Sequence, residues 1–198
     1  MAIRCPACGR EYDVTLFEFG RTVRCACGAR VGLELRARPL SQEPRFIADA
    51  MLGRLARWLR ALGYDVAAEP PVADADLVRR AVLERRVLLT RDRRLCRDWW
   101  IPGCVVVEAR RPAKQLDEVM NRFGLDRDWR DRLFSRCLIC NTPLERASVD
   151  EVASRLPSPP PPGPYSRCPG CHRVYWEGQH TRRMRRFLER ALARGGAS

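Results

Sequence analysis

The chain has 198 residues, of which 45% are hydrophobic and 31% are charged, a composition typical of one folded domain with small additional modules. No apolar run approaches the ~20 residues that a membrane-spanning helix needs, and the first residues lack the apolar core of a secretory signal, so we expect a cytoplasmic protein. The net charge of +13 favours a polyanionic partner, and it comes almost entirely from arginine, because Lys114 is the only lysine.

Residues 1–38 contain two pairs of closely spaced cysteines, and a glycine follows each pair. The pairs are Cys5/Cys8 and Cys25/Cys27. One pair brings two thiolates to a single ion and a second pair completes the tetrahedron, while glycine lets the backbone amides turn toward the sulfurs. The second pair is one residue closer than the usual Cys-x-x-Cys spacing, which indicates a tighter turn. This segment predicts an N-terminal zinc ribbon, followed by a linker that ends near Pro44.

Residues 45–135 alternate short apolar strands with amphipathic helices. We expect strands over 46–48, 87–90 and 104–107, and helices over 50–62, from residue 74 onward, and over 113–123. This alternation predicts an α/β fold with a mainly parallel sheet covered on both faces. Arg54, Arg57 and Arg60 lie three residues apart on the first helix, and we interpret them as a solvated helix face.

Three aspartates occupy positions where a parallel sheet builds sites. Asp49 follows the first strand, Asp92 follows the 87–90 strand, and Asp74 begins the helix between them. The carboxyl ends of parallel strands share one edge, where the three carboxylates would need a divalent cation to offset their repulsion. Oxygen ligands favour Mg²⁺ or Mn²⁺, which assists hydrolysis of phosphodiesters. The alternative is that the aspartates are helix N-caps, which we favour from spacing alone.

Residues 136–198 begin with the second set of cysteine pairs and end in a basic helical tail. The pairs are Cys137/Cys140 and Cys168/Cys171. They predict a C-terminal zinc ribbon whose long loop carries an exposed proline run, 157–164. Four thiolates leave no open position, so both zinc sites are expected to be structural. For His172 and His180 we favour surface roles over metal ligation.

Two cysteines, Cys96 and Cys104, lie outside the four pairs. Free cysteine behaves as a small hydrophobic residue, so we expect both to be buried.

Several strings, in this order, closely resemble the ribonuclease domain family named for the C-terminal part of the mutator-seven protein. They are FIADAMLGRLARWLR at 46–60 with GYD at 63–65, LLTRD at 88–92, RCLICN at 136–141 and CPGCHRVYWEGQH at 168–180. The resemblance covers roughly residues 45–184 and leaves the N-terminal ribbon outside it. It implies a PIN-like nuclease domain over 45–135 fused to a zinc ribbon.

The resemblance also implies residue roles. Asp49, Asp74 and Asp92 match the acidic positions that hold Mg²⁺ or Mn²⁺ for RNA cleavage. Basic positions that could hold phosphates are matched by Arg54, Arg57 and Arg91. The sequence departs from the pattern at Ala75, where an acid is common, and a fourth acid is not clear, with Asp65 and Asp98 as candidates.

Two other functions fit parts of the same sequence. A non-catalytic RNA-binding protein, associated with ribosomes or transfer RNA, would share the charge and the zinc ribbons, and the aspartates distinguish it from a nuclease. A zinc-thiolate redox switch fits less well, because glycine-supported knuckles are buried. Codon usage in a GC-rich genome would explain arginine in place of lysine, but not the excess of positive charge.

Overall fold

The computed structural model describes residues 2–13, 16–17, 22–32, 43–68, 70–99, 101, 103–126 and 128–193. These residues form two compact units. The first unit comprises Met1–Gly53 and Ala68–Val107, and the second comprises Arg54–Ala67 and Glu108–Ser198. The expected linker lies largely outside the described residues, and so does the end of the N-terminal ribbon.

The N-terminal part of the first unit is built from two small antiparallel hairpins. Strands β1 (Ala2–Arg4) and β2 (Glu11–Asp13) form one hairpin, and β3 (Thr22–Arg24) and β4 (Arg30–Gly32) form the other. The turn of each hairpin carries one cysteine pair. Cys5 and Cys25 are buried with Phe17 and Val31 in a core that would be too small to be stable alone.

The remainder of the first unit centres on a parallel sheet. Strand β5 (Phe46–Ala48) pairs with β7 (Val87–Thr90), which pairs with β8 (Cys104–Val106). A fourth strand, β6 (Val66–Ala68), is next to β5 in the strand order of this sheet. All residues of β5 and β7 are buried, as expected for continuous apolar runs in a parallel sheet covered on both faces. The α/β prediction is confirmed, whereas β6 was not predicted.

The helices of the first unit follow the sheet strands. A 3-10 helix, Ala50–Leu52, comes one residue after β5. Helix α2 (Asp74–Leu83) precedes β7, and α3 (Arg93–Asp98) follows it. The helix expected over 50–62 therefore starts as a 3-10 turn and continues as α1 (Gly53–Ala61). Its amphipathic pattern is continuous, but the hydrogen bonding changes after the first turn.

In the second unit, α1 ends at a turn that requires glycine. Gly63 has a φ of +88°, and an added Cβ would lie 2.8–2.9 Å from atoms of Ser135 and Arg132. Any side chain would meet both a strained backbone and a steric clash. The glycine thus ends α1 and lets the segment 132–135 pack closely against the turn.

The rest of the second unit combines helices with a three-stranded antiparallel sheet. The helices are α4 (Pro112–Arg122), α5 (Val149–Val152) and α6 (Gln179–Ala193), and the strands are β9 (Glu145–Ala147), β10 (Tyr165–Arg167) and β11 (Val174–Trp176). Strand β10 lies between β9 and β11. The basic tail predicted from sequence is α6, whose Phe187 ring stacks on Trp58 of α1 at a centroid distance of 4.0 Å. The proline run forms no regular element and is mostly exposed, as predicted.

Two sequence interpretations are wrong. Arg60 is only 5% exposed, so it does not belong to a solvated stripe with Arg54 and Arg57. Cys96 and Cys104 are half-buried and joined by a disulfide that connects α3 to β8. Each error has the same cause, because burial and sulfur pairing depend on neighbouring elements that helical spacing does not reveal.

No helix among the described residues is long and apolar enough to cross a membrane.

Candidate metal centres and the aspartates at the sheet edge

The N-terminal cysteines form a compact group of four sulfurs. Their Sγ atoms all lie within 4.8 Å of one another. The Cys5–Cys27 and Cys8–Cys25 sulfur separations are 3.6 and 3.5 Å. A zinc ion with Zn–S bonds of about 2.3 Å needs sulfurs about 3.8 Å apart, so this group could hold Zn²⁺ with little adjustment.

The surroundings of Cys25 in this group favour ionised sulfur, whereas the neighbouring cysteines raise the pKa of Cys8. A hydrogen bond from the Tyr12 hydroxyl lowers the pKa of Cys25 to about 6. A thiolate, and not a thiol, binds zinc, so the neighbouring tyrosine prepares Cys25 for metal binding. Tyr12 follows the first cysteine pair on β2 and is half-buried between two exposed residues.

The C-terminal cysteines form a second group of the same kind. Their Sγ atoms lie within 4.8 Å of one another, with Cys137–Cys171 and Cys140–Cys168 separations of 3.5 and 3.3 Å. Within each pair, the backbone N–H of the later cysteine points at the earlier sulfur, at 3.5 Å for Cys140 and 3.4 Å for Cys171. This arrangement, with two turns donating amides to sulfur, is the one expected of zinc knuckles.

Two hydroxyl groups support the second group of sulfurs. The Tyr175 hydroxyl lies 3.0 Å from Cys137 Sγ and accepts the Leu138 N–H at 3.3 Å. Burial opposes ionisation of Cys140, but hydrogen bonds from the hydroxyl and amide of Thr142 outweigh it and lower its pKa to about 6. The half-buried Tyr175 thus contacts one of the candidate ligand sulfurs through its hydroxyl.

Arg60 fixes the first knuckle of this ribbon to α1. Its guanidinium donates to the carbonyls of Leu138 at 3.1 Å and Ile139 at 2.7 Å, and its Nε donates to the Val66 carbonyl at 2.8 Å. Burial lowers the pKa of Arg60, and the sulfurs of Cys137 and Cys140 oppose that effect. A zinc ion with four thiolates carries net negative charge, which the guanidinium offsets.

Asn141 connects the same knuckle to Asp65 and to the first residue of β6. Its side chain donates to Asp65 at 2.7 Å and accepts the Val66 N–H at 3.0 Å. Asp65, a candidate for the fourth acid, is therefore engaged with the ribbon within the second unit.

At the carboxyl ends of β5 and β7, the Thr90 hydroxyl connects two of the predicted aspartates. It donates to Asp49 Oδ2 at 2.7 Å and accepts the backbone N–H of Asp92 at 2.9 Å. Thr90 is fully buried, and Asp49 and Asp92 are half-buried. Sequence reasoning missed Thr90, although a hydroxyl at the last residue of an apolar strand was a signal of this contact.

Both aspartates also cap helices. Asp49 Oδ1 accepts the Met51 N–H at 3.1 Å, and Asp92 Oδ1 accepts the Arg94 N–H at 2.7 Å. Asp74 is the first residue of α2, is exposed and does not act as its cap, which is Ala73. Capping fixes the carboxylates of Asp49 and Asp92 in one orientation at the sheet edge.

The three aspartates do not converge as the cysteines do. Within the described part of the chain, the only groups of three or more His, Cys, Asp or Glu with ligand atoms mutually within 4.8 Å are the two cysteine groups. Asp49 and Asp92 are linked through Thr90, and Asp74 stands outside that link. Asp98, the other candidate for a fourth acid, forms an ion pair with Arg97 at 2.7 Å.

The predicted phosphate-binding arginines have exposed side chains. Arg91 directly follows Thr90 in the first unit, and Arg54 and Arg57 belong to α1 in the second unit. All three are free to contact a ligand from solvent, unlike Arg60.

Comparison with protein families identifies the chain. A model of the Mut7-C RNAse domain matches residues 44–188, more than half of the sequence. The chain belongs to the Mut7-C RNAse domain family. The Mut7-C match includes Asp49, Thr90, Asp92 and the C-terminal cysteine group, and it leaves the N-terminal ribbon outside. Neither the curated proteins nor the solved structures gave a match.

Proposed function

We propose that this protein is a metal-dependent ribonuclease that hydrolyses RNA phosphodiester bonds at the sheet edge formed by Asp49, Thr90 and Asp92. The observation that carries the proposal is the Thr90 hydroxyl shared by the two aspartates. Membership of a family of RNAse domains supports it. A PIN-like domain over 45–135, between zinc ribbons over 1–38 and 136–198, is part of the same proposal.

The donor chemistry of this edge fits Mg²⁺ or Mn²⁺. Mg²⁺ is commonly bound by one or two carboxylates and completes its shell with water, so two carboxylates suffice. Asp49 and Asp92 are oriented by backbone N–H groups and need no rearrangement of the helices that they cap. A bound Mg²⁺ or Mn²⁺ would supply Lewis-acid stabilisation of the negative charge that develops on the phosphodiester.

The residues of the chain itself have distinct roles in this proposal. Asp49 and Asp92 hold the cation, and Thr90 ties the carboxylate of Asp49 to the backbone of Asp92. Asp74, exposed at the start of α2, contributes through water or by moving closer when RNA binds. Arg54, Arg57 and Arg91 bind phosphates of the substrate, since guanidinium groups offset charge on phosphoryl oxygens.

The two cysteine groups hold structural zinc in this proposal. Four thiolates fill a tetrahedral shell, so neither zinc ion takes part in hydrolysis. The ribbons and α6 bind RNA through phosphate contacts that do not depend on sequence.

The decisive experiment measures cleavage of labelled RNA by the purified protein with Mn²⁺. Wild type and the matched control Asp150→Asn, which changes an exposed aspartate of α5, are expected to cut equally. The cleavage rate of Asp92→Asn is expected to be more than 100-fold lower than that of wild type, because the neutral amide is a poor ligand for the cation. Asparagine preserves the N-cap, so the fold should be unaffected. Equal cleavage by Asp92→Asn would refute the site.

A second function has a specific observation in its favour. Both Asp49 and Asp92 cap helices, and a non-catalytic RNA-binding protein associated with ribosomes or transfer RNA would also need those caps. If wild type binds RNA in a salt-sensitive manner and cuts none with Mn²⁺ present, this function replaces the first.

A further inference from the structure

We infer that a cleft in the second unit binds one nucleotide of single-stranded RNA, with the phosphate held by arginines of the C-terminal ribbon. The cleft has a volume of about 410 Å³. It is bordered by the first knuckle, the second knuckle, α1 and the start of α6. A drug-sized ligand occupies ~300–1,000 Å³ in protein sites, and a nucleotide falls in that class.

The charged side chains that line the cleft are basic. Its lining includes three arginines, Arg57, Arg155 and Arg173, and both histidines of the chain, His172 and His180. No carboxylate lines it among the described residues. Since the chain has only two histidines, their presence in one cleft beside three guanidinium groups concentrates nitrogen donors where a phosphate would bind.

The donors are carried by ordered elements. Arg155 donates to the carbonyl of His172 at 2.6 Å, which ties the end of the α5 segment to the second knuckle. Arg57 projects from α1, and His180 lies in the first turn of α6. Arg155 uses one guanidinium nitrogen for the His172 carbonyl and has further N–H groups that can bind a ligand.

Part of the cleft lining is apolar. Ile139 is 46% exposed, and Leu138, Val174 and Tyr175 also line the cleft. An exposed isoleucine next to arginines fits the face of a base beside its phosphate, and every base offers such a face. A single strand presents unstacked bases, whereas a duplex keeps its bases covered.

This inference takes its ligand from the proposed function, because RNA is the substrate there, but the cleft and the aspartate site share no residue. Asp49, Thr90 and Asp92 belong to the first unit, and every residue lining the cleft belongs to the second. The test therefore measures RNA binding in an Asp92→Asn background, where cleavage does not interfere. Cleavage is measured separately with otherwise wild-type protein.

The test uses a fluorescein-labelled single-stranded RNA 12-mer, followed by anisotropy over a range of salt concentrations. Arg155→Gln/Arg173→Gln removes two charges from the cleft. The matched control, Arg79→Gln/Arg122→Gln, removes two exposed arginines of α2 and α4. Loss of two phosphate contacts is expected to weaken binding at least tenfold and to lower the slope of log K against log salt by about 1.4. The control is expected to change the affinity by less than threefold.

A second variant guards against a folding defect in the ribbon. His180→Glu places a negative charge in the cleft, and glutamate is favourable in the first turn of a helix, so α6 stays intact. It is expected to weaken RNA binding at least tenfold with unchanged zinc content. The inference is overturned if the control, the arginine variant and His180→Glu bind RNA with equal affinity. It is also overturned if the wild type binds no RNA. If the binding pattern holds but wild type cuts no RNA with Mn²⁺, the cleft stands and the ribonuclease proposal fails.

Discussion

Asp49 and Asp92 share the hydroxyl of Thr90, which donates to the first carboxylate at 2.7 Å and accepts the backbone N–H of the second residue at 2.9 Å. The two aspartates follow neighbouring parallel strands, and Thr90 ends one of those strands. A single buried hydroxyl therefore joins the ends of both strands. This relationship makes Thr90 a positioning residue for the proposed metal site.

Removing the Thr90 hydroxyl is expected to reduce RNA cleavage. Thr90→Val keeps the shape of the side chain but leaves Asp49 Oδ2 and the Asp92 N–H without their partner. The free energy of unfolding should fall by about 1–3 kcal/mol. The cleavage rate should fall together with the affinity for Mn²⁺, measured by varying its concentration. Thr90→Ser keeps the hydroxyl and loses the methyl group. It should retain both the cleavage rate and the Mn²⁺ affinity, which would not be so if Thr90 acted only through the packing of its methyl group.

The purified protein is expected to contain two zinc ions per chain, one for each cysteine group. Cys168→Ser should leave one, as measured by mass spectrometry of the metals, because three thiolates hold zinc weakly. Four thiolates this close could not all ionise without a cation, so a metal-free wild type that keeps its fold would contradict the zinc sites.

Tyr175→Phe is expected to weaken zinc binding at the C-terminal group. The substitution removes the hydroxyl that lies 3.0 Å from Cys137 Sγ. Loss of such a supporting group reduces metal affinity by roughly 10–100-fold. The measurement is competition with a chromogenic chelator. Tyr165 is the matched control, because its hydroxyl bonds to the Pro161 carbonyl and not to a sulfur. Tyr165→Phe should retain zinc against the chelator as well as wild type does.

Arg60→Met is expected to lower the free energy of unfolding by about 3 kcal/mol, because it leaves buried carbonyls without a charged donor. The matched variant Arg54→Met changes an exposed arginine of the same helix and should cost less than about 0.5 kcal/mol. Urea unfolding of the zinc-loaded proteins measures both. Equal stabilities would mean that water replaces the guanidinium at the Leu138 and Ile139 carbonyls.

The Cys96–Cys104 disulfide is expected to stabilise the first unit. It closes a loop with a sequence separation of 8. Closing a loop of that length raises the free energy of unfolding by about 2.5 kcal/mol, because it lowers the conformational entropy of the unfolded chain. Cys104→Ser should lower the unfolding midpoint in urea without changing zinc content. Mass spectrometry after alkylation should find Cys96 and Cys104 unmodified until a reductant is added, and alkylation before reduction would contradict the bond.

The sequence by itself determined the features that depend on local spacing. Continuous apolar runs specified β5 and β7, helical periodicity specified α1, α2, α4 and the basic α6, and cysteine spacing specified both four-sulfur groups. It also placed Asp49 and Asp92 at strand ends, because Asp49 directly follows one apolar run and Asp92 comes two residues after the strand that ends at Thr90. The strands β6 and β9 were not predicted; β9, for example, consists of Glu145, Arg146 and Ala147 and offers no apolar pattern.

Only the tertiary structure decided which of several equivalent residues are used. Arg54, Arg57 and Arg60 have the same spacing, but only Arg60 meets the carbonyls of Leu138 and Ile139, which lie far away in sequence. In the same way, the packing of α3 on β8 paired Cys96 with Cys104, and the pairing of β5 with β7 brought Asp49 to Thr90. Such contacts join different elements of the fold, and burial and hydrogen bonding arise only when those elements meet.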